Sequence, residues 1–229
     1  NWASMKNTGW ELSLNSVNID TDAFRWTTNL NFGYNYNEVL DVYSTPTYGA
    51  LTNAQRTDYA SAAVVGKPIN GLWSYQYAGL NEDGRAQFYN EKGEKVLKSM
   101  SNIDGLVYSG TTMPLVQGGF TNTFTYKNWE LYMHTTYSLN YKVYNSILSE
   151  YTSGTSWTSS NLHKVPSSLK IWEKPGDKAD IPMVNADPAF VQELNDETSF
   201  CYTDASHLRI SNIRLTYNFP RQWMKVICV

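Results

Sequence analysis

Phe24-Arg25-Trp26-Thr27-Thr28-Asn29-Leu30-Asn31-Phe32-Gly33-Tyr34-Asn35-Tyr36-Asn37 is the stretch on which the fold turns. Phe24, Trp26, Leu30, Phe32, Tyr34 and Tyr36 fall in one phase, and Arg25, Thr27, Asn29, Asn31, Asn35 and Asn37 in the other. A period of two puts successive side chains on opposite faces of a β-strand. Soluble sandwich strands usually run about five or six residues, whereas a strand that crosses a bilayer at a tilt needs about nine to eleven. The length of this alternation therefore predicts a membrane-crossing strand.

The same pattern recurs downstream. Trp129, Leu131, Met133, Tyr137, Leu139, Tyr141 and Val143 oppose Glu130, His134, Thr136, Ser138, Asn140 and Lys142. Shorter stretches behave alike, with Trp10, Leu12 and Leu14 in one and Phe120, Phe124 and Tyr126 in another. From Leu208 to Phe219 the apolar phase slips between Ile210 and Ile213, which predicts a bulge near Ser211 and Asn212. Short turns are expected near Asp20 to Asp22, Lys127-Asn128 and Pro220-Arg221, alternating with long segments over about 41–115 and 144–205. Outer-membrane barrels join their strands in this way, with short periplasmic turns at one rim and long extracellular loops at the other. Inside the first long segment, Gly71 to Leu80 and Ala86 to Val96 are expected to pair across Asn81-Glu82-Asp83-Gly84.

The bulk properties agree. The chain has 229 residues, of which 17 are Tyr and 8 Trp, and charged residues make up 17% against about 25% in ordinary soluble proteins. No apolar run approaches the roughly 18 residues of a transmembrane helix, so any membrane crossing has to be made by strands. A net charge of −3 gives no basic footprint for nucleic acid. Asn1-Trp2-Ala3 carries neither a start methionine nor the regions of a signal peptide, which suggests a processed chain or a piece of a longer one. The reading yields five complete strands and the start of a sixth at Met224, too few to close such a barrel without leaving unpaired backbone in lipid. The expected fold is all-β, an incomplete stretch of about five to six antiparallel strands from a large barrel.

Several motifs, in order, resemble the SusC/RagA family of TonB-dependent transporters of Bacteroidetes. Asn7-Thr8-Gly9-Trp10-Glu11-Leu12 followed by Phe24-Arg25-Trp26 is similar to the family's "N-K-G-x-E" strand. Gly66-Lys67-Pro68 and Tyr75-Gln76-Tyr77-Ala78-Gly79-Leu80 come next. Tyr108-Ser109-Gly110, Pro114 and Gly118-Gly119-Phe120-Thr121-Asn122-Thr123-Phe124-Thr125-Tyr126 carry the most specific match, a "P-x-x-x-G-G-F-x-N-x-F-x-Y" signature. Trp172-Glu173-Lys174-Pro175-Gly176-Asp177 with Asp180-Ile181-Pro182, and Asp204-Ala205-Ser206-His207-Leu208-Arg209-Ile210 through Pro220, complete the series.

The resemblance implies that residues 1–229 belong to one C-terminal domain of a barrel of about 22 strands, with the plug domain and closing strands lacking. It implies TonB-dependent import of oligosaccharides or peptides across the outer membrane of a Gram-negative cell. A SusD-like surface lipoprotein would act as lid, TonB would work through the missing plug, and lipid would surround the wall. No enzyme activity, catalytic residue, metal ligand or cofactor is expected. A soluble secreted carbohydrate-binding β-sandwich is the alternative, and would have short strands buried on one face. A surface glycoside hydrolase would need two converging carboxylates, and no segment suggests such a pair.

Particular residues follow from these readings. Trp73, Tyr75, Tyr77 and Trp157 lie in the long segments, where flat aromatic faces can bind sugar rings, or pack the loops together. His134 falls on the lumen side of its strand, as a polar lining residue or a substrate contact. Phe24, Trp26, Phe124, Tyr126, Trp129, Tyr217, Phe219 and Trp223 lie at the short-turn rim and are expected to form an interfacial aromatic girdle. His163 and His207 show no metal spacing with His134. Glu173, Asp177 and Asp180 could be taken as an acidic cluster, but Pro175-Gly176-Asp177 reads as a turn. Whether Cys201 pairs with Cys228 is open.

Overall fold

The computed structural model describes residues 3–53, 60–90, 92–97, 103–145, 167–182 and 197–220. Trp157, His163, Trp223, Met224 and Cys228 lie outside them. The chain is all-β, with twelve strands among the described residues and a single five-residue α-helix. It divides into two compact units. One holds residues 1–6, 37–113 and 142–204, the other residues 7–36, 114–141 and 205–229.

The second unit is built on a five-stranded sheet. Its strands are β1 (Ala3–Asp20), β2 (Phe24–Val42), β8 (Val116–Tyr126), β9 (Trp129–Leu139) and β12 (His207–Tyr217), hydrogen-bonded in that order, with the ends 3–6 of β1 and 37–42 of β2 counted in the first unit. They run 18, 19, 11, 11 and 11 residues, the long strands that the alternation predicts and unlike those of the sandwich alternative. Thr21 opens the first short turn, its hydroxyl accepting from Phe24 N at 3.0 Å. Lys127, at φ 50°, supplies the left-handed residue of the second. The short-turn ends are stitched across the sheet by Lys127 N to Ala23 O at 3.1 Å and Asn218 N to Asn128 O at 2.8 Å. The expected bulge is present, since Ile210 pairs with Thr135 and Asn212 with His134, leaving Ser211 unmatched. The strand read as continuing to Val143 instead ends at Leu139, because Asn140 turns to φ 60°.

The first unit gathers the long segments. The helix α1 (Tyr48–Thr52) is capped by Thr47, whose side chain accepts from Ala50 N. The strands β4 (Gln76–Leu80), β5 (Ala86–Tyr89) and β6 (Lys95–Leu97) form a meander, while β3 (Gly71–Ser74) pairs with β7 (Val107–Thr111). Of the hairpin expected between Gly71–Leu80 and Ala86–Val96, only Gln76–Leu80 against Ala86–Tyr89 is present, since Val96 belongs to a third strand that pairs with Phe88. Both meander turns are closed by asparagines: Asn81 Oδ1 accepts from Asp83 N and Arg85 N, and Asn90 Oδ1 from Lys92 N and Glu94 N. Gly84, at φ 76°, lies under the Trp172 indole, where an added Cβ would meet the ring at 2.6 Å. Finally, β10 (Lys142–Tyr144) pairs with β11 (Tyr202–Asp204). The core is Leu51, Ala62, Tyr75, Ala86, Phe88 and Leu106.

Candidate functional site

The sheet of the second unit has two chemically distinct faces. Its register aligns Trp26, Phe124, Leu131 and Leu215 in one row and Phe24, Tyr126, Trp129 and Tyr217 in the row beyond. These side chains share the apolar face, whose edge residues stand open: Trp10 is 73% exposed and Leu215 64%. The rim aromatics meet one another, with Trp26 stacked on Phe124 at 5.6 Å, Trp129 against Tyr217 at 4.7 Å and Phe219 against Tyr217 at 5.0 Å. Just inside that rim lies an amide that pattern reading passes over. Asn122 Oδ1 accepts from Trp26 Nε1 at 3.0 Å and from the Thr28 hydroxyl at 2.7 Å, which satisfies the indole donor on the apolar face.

The opposite face is polar. Its rows run Arg25, Thr125, Glu130 and Thr216, then Thr27, Thr123, Tyr132 and Arg214, then Asn29, Thr121, His134 and Asn212. Arg214 lies 4.9 Å from the Tyr132 ring centre and 3.4 Å from Glu130 Oε1. His134 Nδ1 shares a hydrogen bond with the Thr121 hydroxyl at 2.8 Å. At the β1 edge the side chains form a directed chain. Ser13 Oγ donates to Asn31 Oδ1 at 3.0 Å, Asn31 Nδ2 to Asn29 Oδ1 at 3.3 Å, and Asn29 Nδ2 to Asn15 Oδ1. These bonds put the odd-numbered residues of β1 on the polar face. Where the chain ends there is a hollow of about 220 Å³, bounded by Asn15 to Val17, Thr27 to Asn29, Thr121 and Thr123.

In the first unit the three alternating aromatics are packed. Tyr75 is 5% exposed and its ring is closed off by Phe88, at 5.9 Å, and by Gly105, so it offers no face to a ligand. Trp73 is half-buried with its ring against Tyr108 at 5.8 Å. Tyr77, also half-buried, touches Phe88 and Phe200 and donates its hydroxyl to Asp180 O at 2.8 Å. Burial raises the Tyr77 pKa, with Asp180 adding to the effect. Burial likewise raises that of Tyr48, helped by its 2.5 Å bond to Glu197 Oε2. The two aspartates hold turns together: Asp177 Oδ2 accepts from Glu173 N and Lys174 N, and Asp180 Oδ2 from Lys170 N. Cys201 is fully buried.

No family model matches the chain. It is 27% identical over 235 residues to TonB-dependent receptor P26 of Formosa agariphila, a match covering 96% of this chain and 23% of that protein. TonB-dependent receptor P3 of the same organism is 24% identical over 246 residues, covering 98% of this chain and 23% of the relative. Among solved structures, a chain of the RagAB peptide importer in the open-open state superposes with a TM-score of 0.72 at 21% identity, over 97% of this chain and 23% of that one. The closed-closed state gives 0.72 at 23% identity, over 97% and 24%. The chain spans a little under a quarter of the length of the relatives it matches.

Proposed function

We propose that this chain, a SusC/RagA-like stretch of a TonB-dependent transporter, is part of the wall and extracellular loops of an outer-membrane barrel that imports oligosaccharides or peptides. The observation that carries the reading is the two-faced sheet. One face is apolar across its strands and ends in a row of aromatics at the short turns, as a lipid-facing surface requires. The other is lined by amides, hydroxyls and a few paired charges, as the polar interior of such a barrel requires.

On this reading residues 1–229 form part of one barrel domain, and the segments over about 41–115 and 144–205 lie outside the cell. Phe24, Trp26, Phe124, Tyr126, Trp129, Tyr217 and Phe219, with Trp223, anchor the periplasmic rim in lipid headgroups. His134, Trp73, Tyr77 and Trp157 are proposed ligand contacts. A SusD-like lipoprotein would close over the loops, and TonB would supply energy through parts of the transporter beyond this chain. Because the wall only lines the path, its contribution to the energy-requiring step is passive, and no residue of it acts as an enzyme.

The test uses the full-length protein in its native outer membrane. It is expected in the detergent-extracted membrane fraction, with a gel mobility that shifts on boiling, a co-purifying lipoprotein, and uptake of labelled oligosaccharide or peptide that stops when TonB is deleted. A soluble protein indifferent to detergent would overturn the barrel reading. Membrane location with uptake unchanged by TonB deletion would overturn the energy coupling.

A further inference from the structure

The geometry points to a binding site for a single neutral sugar ring in the hollow between β1, β2 and β8 on the polar face, a reading that rests on that face being the lumen wall. Three observations carry it. The first is the direction of the side-chain chain. Ser13, Asn31 and Asn29 each donate to the next member, so the amide oxygens of Asn31, Asn29 and Asn15 are all occupied as acceptors. The chain ends on Asn15, whose amide nitrogen donates to nothing among the described residues. Asn15 is exposed, so its two amide hydrogens stand in solvent at the edge of the hollow, where acceptor oxygens of a ligand can replace water.

The second observation is what else bounds the hollow. The register puts Thr27, Asn29, Thr121 and Thr123 on the same face, and hydroxyls both donate and accept, as a polyol needs. Thr121 shares a hydrogen bond with His134 at 2.8 Å, which fixes its hydroxyl beside the hollow. Val17, 56% exposed although it is on the polar face, supplies the apolar patch against which the C–H side of a sugar ring can lie. No residue bounding the hollow is charged, which leaves an anion or a cation without a partner.

The third observation is size. A hollow of about 220 Å³ falls below the roughly 300–1,000 Å³ of pockets that enclose drug-sized ligands, so it takes one ring and not a folded chain. An open hollow on a wall binds weakly, and weak binding suits a ligand that must move on.

The experiment is saturation-transfer NMR on the full-length protein in detergent, with methyl α-D-glucopyranoside as probe and N-acetylglycinamide as a peptide-bond mimic. The glucoside is expected to give a signal that falls about tenfold in affinity in Asn15→Leu and again in Thr123→Val, roughly one hydrogen bond each. Met113→Ala, an exposed position in the other unit, is expected to leave it unchanged. The heat-shifted gel mobility of each variant shows that the barrel still folds.

A glucoside signal indifferent to both substitutions overturns the site, as does preferential binding of the glycinamide. No signal in a protein that is heat-modifiable and takes up its cargo removes this site and leaves the transport reading standing. Absence from the outer membrane removes both.

Discussion

Gly118 lies beneath Tyr137, which crosses from β9 to donate its hydroxyl to the Asn31 carbonyl on β2 at 3.0 Å. A Cβ added at Gly118 would meet that carbonyl, and the Tyr137 hydroxyl at 2.6 Å. The neighbouring Gly119 is also tight, with Thr135 O at 2.9 Å from an added Cβ. The first glycine of the signature is thus a consequence of a tyrosine laid diagonally over the sheet, and the second of the close approach of the Thr135 carbonyl. Gly118→Ala is expected to cost about 3 kcal/mol by overpacking, and Tyr137→Phe about 1 kcal/mol through the lost hydrogen bond. Because the two residues occupy one space, Gly118→Ala should cost less when Tyr137 is replaced by alanine than when it is present. The midpoint of the heat-induced mobility shift measures all of these, and strict additivity would separate the two residues.

At the scale of elements, the apolar face depends on an internal polar bond. Trp26→Ala removes the stack on Phe124 and strips Asn122 of its indole partner, with an expected cost of about 3 kcal/mol. Trp26→Phe keeps much of the ring, leaves Asn122 Oδ1 with Thr28 alone, and should cost about 1 kcal/mol. Equal losses, read from the same mobility shift, would mean that the bond to Asn122 contributes nothing. The five long strands and their bulge are legible in sequence because alternation is a local signal, read without knowing the partner. The pairing of β3 with β7 is not, since Gly71 and Thr111 are brought together only by what folds between them. The row formed by Phe24, Tyr126, Trp129 and Tyr217 is legible because each ring sits beside a short turn. The hollow is hidden because it exists only when β1, β2 and β8 are in register, and nothing near Asn15 in the chain announces Asn29 or Thr123. Trp73, Tyr75 and Tyr77 share the alternation of a displayed strand, yet their surroundings come from Tyr108, Gly105 and Asp180, far along the chain.

At the scale of the molecule, the two units should respond differently to alkali. In the first, burial holds the Tyr48 and Tyr77 protons beyond the ordinary range, with Glu197 and Asp180 reinforcing them. An unfolded chain releases those protons near the usual tyrosine value of about 10. Their contribution to stability is therefore whole below that pH and is lost as pH rises through and beyond it. Hydrogen exchange on the full-length protein is expected to show residues 75–88 losing protection above about pH 10, with Tyr48→Phe lowering the pH dependence by about one proton. Protection that is flat across this range would exclude the linkage. The bulge at Ser211 has a different kind of consequence, which concerns inheritance. A strand with one face in lipid and one in water has a frame of two, and any single inserted or deleted residue turns everything after it inside out. Ser211 is unmatched, so the frame holds on either side of it: Ile210 and Ile213 share a face with two residues between them. The loss of one codon there would leave Ile213, Leu215 and Tyr217 facing as they do, whereas the same loss at Arg214 would point Leu215 and Tyr217 at water. The bulge is thus a place where the gene of a barrel wall can change its length by one residue without reversing the wall.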